Sequence, residues 1–337
     1  MKILVTGASG FIGSHIMRTL AQKKAYTVRG LVRRSSDLFR LQAKMKGQGP
    51  KDPRPFELLY ASLEDPLNEV TKGFDAVVHT AGNTDDWGNA ARIYRSNIDG
   101  TKRLLCACVE NGVKRFVHFS STVVYGLEGN RDTVEDREHR PYKNGYCISK
   151  SRAEQVILSF SDRIETIILR PSNVFGPFDV KFSFLLLRSI ERGLLRWPLK
   201  GTTLTSPCYV KNLVAATCCA LTTDRGFGEA YNISDGNDVT WKTFLEMAAA
   251  QLGKIPPHGT VPLFLLSLSA KVLESTYTLL RIKHRPIITP YNIALVSHDY
   301  GFSIEKAKRV LGYEPPFTTA EGIKQTAEWY HWYKDIS

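Results

Sequence analysis

Cysteine is scarce and scattered in this 337-residue sequence: six residues, at positions 106, 108, 147, 208, 218 and 219, with no Cys-x-x-Cys and no paired metal-ligand spacing. That pattern excludes a disulfide framework and a zinc site, and no metal is expected. It reads instead as small buried thiols in a reducing compartment. There is no internal repeat and no low-complexity tract. The longest apolar segment, 262–282, carries Lys271 and Glu274 in its interior, so it does not read as a membrane-spanning helix. No leader-like apolar core follows Met1-Lys2, and the expectation is a cytoplasmic chain. Acidic residues are nearly missing from the first 55 positions, where twelve Lys/Arg face only Asp37 and Asp52; this stretch carries +10 of a total charge of +12. No aromatic interleaving or reading motif accompanies that charge, so nucleic acid is not an expected partner. Lys44, Lys46, Lys51 and Arg54 fit a solvated loop. What remains is ordinary globular composition, 43% hydrophobic and 23% charged, in a chain long enough for one large domain or two unequal ones.

Residues 2–6, Lys-Ile-Leu-Val-Thr, form the short apolar run of a buried parallel strand. They run into Gly7-Ala8-Ser9-Gly10-Phe11-Ile12-Gly13, after which Ser14 to Gln22 reads as a helix. Strand, glycine-rich turn and helix in this order make a dinucleotide-binding fingerprint. Gly7 permits the tight turn, Gly10 lets backbone approach a pyrophosphate, and Gly13 lets the helix pack on the strand. The first turn, Gly10 to Gly13 with Phe11 and Ile12 between, offers unpaired N–H groups and a positive dipole end to phosphate.

The second strand, Thr27 to Val32, ends in Arg33-Arg34-Ser35-Ser36. An acid at such a strand end bonds the ribose 2′-hydroxyl of NAD and repels a 2′-phosphate. A guanidinium makes a charge-assisted, bidentate contact with that phosphate instead. Arg33, Ser35, Ser36 and Arg40 on the following turn therefore predict NADP over NAD.

Tyr146 and Lys150 stand four apart in Asn144-Gly145-Tyr146-Cys147-Ile148-Ser149-Lys150, one helical turn from each other on the same face. An ammonium in that place is expected to lower the phenol's pKa from about 10 and make the pair a usable acid/base.

The Gly-x-x-Gly-x-x-Gly spacing, with Tyr-x-x-x-Lys about 140 residues on, resembles the extended short-chain dehydrogenase/reductases, over nearly the whole chain. The later part is similar to the sterol and 3β-hydroxysteroid dehydrogenase-like branch and to dihydroflavonol reductase-like enzymes. The resemblance implies an α/β fold, a Rossmann-type doubly wound parallel sheet with a smaller, mostly helical C-terminal lobe. It divides the chain into 1–170 for the cofactor, the sheet completed by later segments, and 171–337 for the substrate. Phe74 to Gly82 is similar to the family's fourth strand and places Thr80, Ala81 and Gly82 by the cofactor. Asn97 to Thr101 looks like a helix start. His79 and His118, inside apolar strands, read as core histidines. After the third strand the family has Asp-Leu at the adenine; this chain has Ser62-Leu63. The family's catalytic hydroxyl precedes the Tyr of Val-Tyr-Gly by four, which selects Ser121, with Ser120 among the cofactor contacts. Pro171 and Val174 are implied to flank the nicotinamide, and the family's helices imply a homodimer.

Those residues together predict hydride transfer: Ser121 polarises a carbonyl, Tyr146 moves the proton and Lys150 holds phenol and ribose. The expected activity is an NADP-dependent oxidoreductase interconverting ketone or aldehyde and alcohol on a lipophilic small molecule. A nucleotide-sugar epimerase is the alternative, and a non-catalytic cofactor-binding protein a further one. Dehydratases of the family carry an Asp-Glu pair beside the hydroxyl, where this chain has Thr122-Val123. Epimerases carry an arginine ahead of a Tyr-Val-x-Asp element; here Thr205-Ser206-Pro207-Cys208 precedes Tyr209-Val210-Lys211-Asn212. In 262–282, Leu265, Leu268, Val272, Leu273, Thr276, Leu279 and Leu280 follow helical spacing. They read as an apolar face covering the pocket, or as a face lying on a membrane, which Arg281, Lys283 and Arg285 favour.

Overall fold

A computed structural model describes residues 1–43, 56–280, 282 and 284–336. Lys44, Lys46, Lys51, Arg54, Arg281 and Lys283 fall outside the described residues. Seven short strands run β1 (Lys2–Thr6), β2 (Thr27–Val32), β3 (Glu57–Tyr60), β4 (Ala76–His79), β5 (Arg115–Phe119), β6 (Glu165–Pro171) and β7 (Glu229–Ile233). All pair in parallel, in the order β7-β6-β5-β4-β1-β2-β3. Such a sheet is covered on both faces, which is why β1 and β4 read as unbroken apolar runs rather than alternating ones.

One face is covered by α1 (Phe11–Ala21) and α4 (Val210–Thr222), whose Ile16, Met17, Leu20, Leu213 and Leu221 pack on Ile3, Val5, Val117 and Ile167. The opposite face carries α2 (Gly100–Glu110) and α3 (Gly145–Leu158), with Leu104, Leu105 and Ile157 against Leu4, Val77, Phe116 and Ile168. The helix expected to open at Asn97 begins earlier. Asn89 caps a segment Ala90–Tyr94, and a π-turn at Arg95–Asp99 carries the chain into α2. The extra residue of that turn displaces the following ones and leaves Asn97 buried at the bend.

The chain after Pro171 contributes α4 and β7 to this layer and otherwise builds a second core. Phe175, Phe178, Trp197, Trp241, Phe244, Trp329 and Tyr330 meet there, with α6 (Thr319–Ile336) against the helices Ser183–Glu191 and Trp241–Gln251. Asn212, where the resemblance has Asp, ties the halves: its amide donates to Asp235 (2.7 Å) and to the Phe317 carbonyl (2.8 Å), and its oxygen accepts from Phe317 N–H (3.0 Å). An amide both donates and accepts, which a carboxylate cannot.

Helix α5 (Leu263–Leu279) departs from expectation. Ala270 is its one buried residue, and Leu263, Leu266, Leu273, Glu274 and Tyr277 form the half-buried side. Leu265, Leu268, Val272 and Leu279, expected to cover the pocket, point to solvent instead. The helix is apolar on both sides, so spacing alone did not tell which side packs inward. Among the described residues no helix is long and apolar enough to cross a membrane.

Candidate active site

The sheet order reverses beside β1, and the crevice between the carboxyl ends of β1 and β4 is the place where such sheets bind ligands. Gly7 follows β1 with φ +68°, a left-handed conformation open to glycine, and a Cβ there would lie 2.7 Å from Ala81 N. A Cβ on Gly13 would lie 2.2 Å from the Gly7 carbonyl. The turn and the helix are thus in backbone contact, and α1 aims its N-terminus at the crevice with Gly10 as N-cap. Phe11, Ile12 and Gly13 form its first turn, whose N–H groups suit an anion.

A cavity of about 440 Å³ opens here. Of the residues expected to touch cofactor, Gly7, Gly10, Arg33, Ser36, Ser62, Leu63, Thr80, Ala81 and Gly82 line it. The end of β2 turns back on itself to do so: Ser36 N–H donates to the Arg33 carbonyl (2.9 Å), and Arg33 N–H donates to Ser36 Oγ (3.0 Å). Ser35 is exposed and does not line the cavity. Arg40 does not line the cavity: its Nε donates to the Phe178 carbonyl (3.1 Å), which leaves Arg33 and Ser36 as the residues of that group at the cavity. Ser9, Asn83, Arg92 and Lys181 also line the cavity and were not expected. Lys181 arrives from the far half of the chain, so no local pattern marks it.

Deeper in, the catalytic candidates converge at the end of β5. Asn144 caps α3 by accepting from Cys147 N–H (2.8 Å), which places Tyr146 in the first turn and Lys150 in the second. Lys150, buried, donates from Nζ to the Phe119 carbonyl (2.6 Å), the last of β5. Ser121 caps the turn Thr122–Tyr125, its hydroxyl accepting from Val123 N–H (3.4 Å), and lies near enough to the Tyr146 phenol to act on its acidity. Ser120 beside it is buried, its hydroxyl without a protein partner. Pro171 ends β6, and Val174 lies on the short strand Asn173–Phe175 just after it. Ser121, Tyr146 and Lys150 are therefore brought together, while Gly82, near enough that an added Cβ would sit 3.9 Å from Lys150 Nζ, joins them to the cavity.

Electrostatics differ from expectation. Burial pushes the Tyr146 phenol up, with Cys147 and Asp86 acting in the same sense and the Ser121 hydroxyl opposing. Lys150 is pushed down to about 8, again by burial, with Glu154 opposing. Burial is the largest cause for both, and neither group acts on the other, so the mutual stabilisation that the spacing predicts is not found. The consequence is a phenol that keeps its proton at neutral pH and is a weaker acid than a free tyrosine.

Asn97 was missed as a site residue. Its oxygen accepts from Asn83 N–H (2.6 Å); its amide donates to the Asn83 carbonyl (2.8 Å) and to Ser149 Oγ (2.9 Å). It fixes the loop after β4 to the helix that carries Tyr146, and only the π-turn, invisible in the sequence, aims it there. His79 bridges Thr6 Oγ1 (2.7 Å) and Thr101 Oγ1 (3.0 Å), and burial pushes it down to about 3. His118 stacks beside it at 5.3 Å, both ring nitrogens buried without a protein partner.

Distant segments meet near Tyr146, with Asp86, Tyr291 and Tyr300 close enough to couple electrostatically to its phenol. Tyr142 and Tyr291 meet edge to face at 5.8 Å, and Tyr300 Oη pairs with Thr122 Oγ1 (2.8 Å). Trp87 meets Tyr277 of α5, and Arg285 holds Asp86 through two bonds of 2.5 and 2.6 Å.

A glycine-capped crevice at a sheet switch point, leading to a Ser, Tyr and Lys set, defines a nicotinamide-dependent oxidoreductase. Residues 3–234 match the NAD dependent epimerase/dehydratase family, and the chain belongs to it. It is an enzyme of the extended short-chain dehydrogenase/reductase type. The chain is 29% identical to the 4-hydroxy-2-methyl-3-oxo-4-farnesyl-3,4-dihydroquinoline-1-oxide ketoreductase of Stigmatella aurantiaca, over 96% of this chain and 95% of that protein. It is 28% identical to the sterol-4-alpha-carboxylate 3-dehydrogenase, decarboxylating, of Mus musculus (98% and 91%). It is equally, 28%, identical to the UDP-glucose 4-epimerase of Vibrio cholerae (97% and 94%). Among solved structures, the UDP-glucuronic acid 4-epimerase of Bacillus cereus shares the fold, with TM-score 0.77 at 23% identity over 98% of this chain and 96% of that one.

Proposed function

We propose that the protein reduces a ketone or aldehyde on a lipophilic molecule with NADPH, or runs the reverse oxidation. The observation that carries this reading is the aromatic wall near Tyr146. Tyr291 and Tyr300 lie by the phenol, Tyr142 packs on Tyr291, Trp87 and Tyr277 meet next to Asp86, and Arg285 is neutralised by Asp86. Such a wall suits a flat apolar skeleton more than a sugar diphosphate. The stretch where an epimerase's arginine would stand is closed: Thr205 accepts from Asn173 (2.7 Å), the Ser206 hydroxyl donates to Asp238, and Cys208 is buried in the core. The names of the farnesyl-quinoline ketoreductase and the sterol dehydrogenase accord with a lipophilic substrate; the epimerase relative at the same identity keeps the runner-up in play.

The cradle fits a dinucleotide. Gly7 and Gly13 leave no room for a Cβ, the first turn of α1 would face the pyrophosphate, and Arg33 with Ser36 would hold a 2′-phosphate. When bound, the nicotinamide supplies the hydride for the carbonyl carbon. Tyr146 Oη, protonated at neutral pH, gives its proton to the carbonyl oxygen. The Ser121 hydroxyl donates a hydrogen bond to the same oxygen, stabilising the charge that develops there. Lys150, fixed by the Phe119 carbonyl, holds its ammonium beneath the site.

The test is to incubate the purified protein with NADPH and lipophilic ketones, and separately with the oxidised cofactors NAD+ or NADP+ and UDP-glucose. NADPH oxidation with the ketones and no sugar conversion is expected. Conversion of UDP-glucose to its 4-epimer without net cofactor consumption would replace this reading with the epimerase one.

A further inference from the structure

We propose that the outer face of α5 rests on an anionic lipid bilayer. Phe264, Leu265, Leu268, Val272 and Leu279 are 47–82% exposed. At 100° per residue they fall within an arc of about 100° along a helix roughly 25 Å long. Leu280 and Ile287, 64% and 88% exposed, continue the patch beyond the helix. A soluble surface rarely leaves so much apolar area together, and a helix apolar on both sides is covered on both. The protein covers the inner side, through Ala270 and Tyr277.

Charge selects the occupant. Residues 254–287 hold Lys254, Lys271, Arg281, Lys283 and Arg285 against Glu274, and Asp86 pairs with Arg285, which leaves an excess of three positive charges. Glu274 sits on the half-buried side, where it acts on Tyr142, so Lys271 is the single charge on the outward half of the helix. A second copy would bring two such basic segments face to face and repel. An anionic headgroup layer attracts them while its acyl boundary takes the apolar stripe. The inner side of the same helix meets Trp87 through Tyr277; Trp87 is next in sequence to Asp86, which acts on the Tyr146 phenol. This inference rests on exposure and charge and does not depend on which substrate the enzyme takes.

The experiment is co-sedimentation of the full chain with vesicles of phosphatidylcholine, with and without phosphatidylglycerol, at low and high salt. The protein should sediment with the mixed vesicles, less with pure phosphatidylcholine and less in high salt. The double variant Leu268→Glu/Val272→Glu should lose roughly tenfold or more of that binding. Its unfolding temperature should stay unchanged, because both side chains point to solvent. No sedimentation with the mixed vesicles, or equal sedimentation of the variant, overturns the proposal. So does a dimer that the double variant converts to monomer in size-exclusion chromatography without vesicle binding, which would make a second copy the occupant.

Discussion

The floor and the wall of this active site are made in opposite ways. The floor is backbone: a glycine turn, a helix end and strand ends, supplied mostly by the first 82 residues in an unbroken local order. The wall is side chain: Trp87, Tyr142, Tyr277, Arg285, Tyr291 and Tyr300, six groups drawn from over 200 residues of chain. The difference explains why one fold supports many substrates. A dinucleotide is held by groups every residue possesses, so the floor tolerates little change. A substrate would be chosen by side chains that can be exchanged without touching the sheet.

Breaking the floor should do the most damage. Gly13→Val puts a Cβ within 2.2 Å of the Gly7 carbonyl and must push α1 off the turn. NADPH binding by calorimetry is expected to fall below detection, and retention of the original affinity would show that the turn is not the pyrophosphate site. Arg33→Asp probes one end of the floor. Replacing a charge-assisted bond by repulsion should cost NADPH about tenfold to hundredfold in affinity and favour NADH. Equal affinities of the unmodified protein for both cofactors would remove the case for NADP.

Lys150 sharpens the comparison through pH. Its ammonium is pushed down to about 8 by burial, so the folded chain releases this proton near pH 8 and the unfolded chain holds it to about 10.5. The unfolded state then binds more protons between those values, and the lysine's contribution to stability improves as pH rises through that window. Lys150→Met should accordingly be more stable at pH 7, by up to roughly 3 kcal/mol, with the gap closing by pH 10. Thermal melts at both pH values check it; an unchanged gap would mean that the charge is not what costs stability. The smallest effect is expected in the wall. Arg285→Gln leaves Asp86 without its partner and should raise KM for a ketone by a few-fold while NADPH affinity stays the same. An equal loss of both would show that floor and wall are not independent.

This division also decides what the sequence could disclose. β1 and the glycine turn are contiguous and explained by local physical chemistry, so they were legible, and Arg33, at the end of the next strand, lines the cavity. Tyr146 and Lys150 were legible because helical spacing alone puts them on one face. Their protonation behaviour was not: spacing predicts mutual stabilisation, whereas burial, a property of the whole fold, dominates. Asn97 was hidden by a π-turn, and Arg40 by the Phe178 carbonyl from the other half of the chain. The orientation of α5 was hidden because both of its sides are apolar.

The central claim is that Tyr146 is the proton donor of a carbonyl reduction, and Tyr146→Phe tests it most directly. The ring and its packing remain while the proton carrier goes. Single-turnover hydride transfer from NADPH to a lipophilic ketone should slow by about 10²–10⁴-fold, with NADPH affinity by calorimetry changing little. A Tyr146→Phe protein that reduces the ketone as fast as the unmodified one would contradict the account.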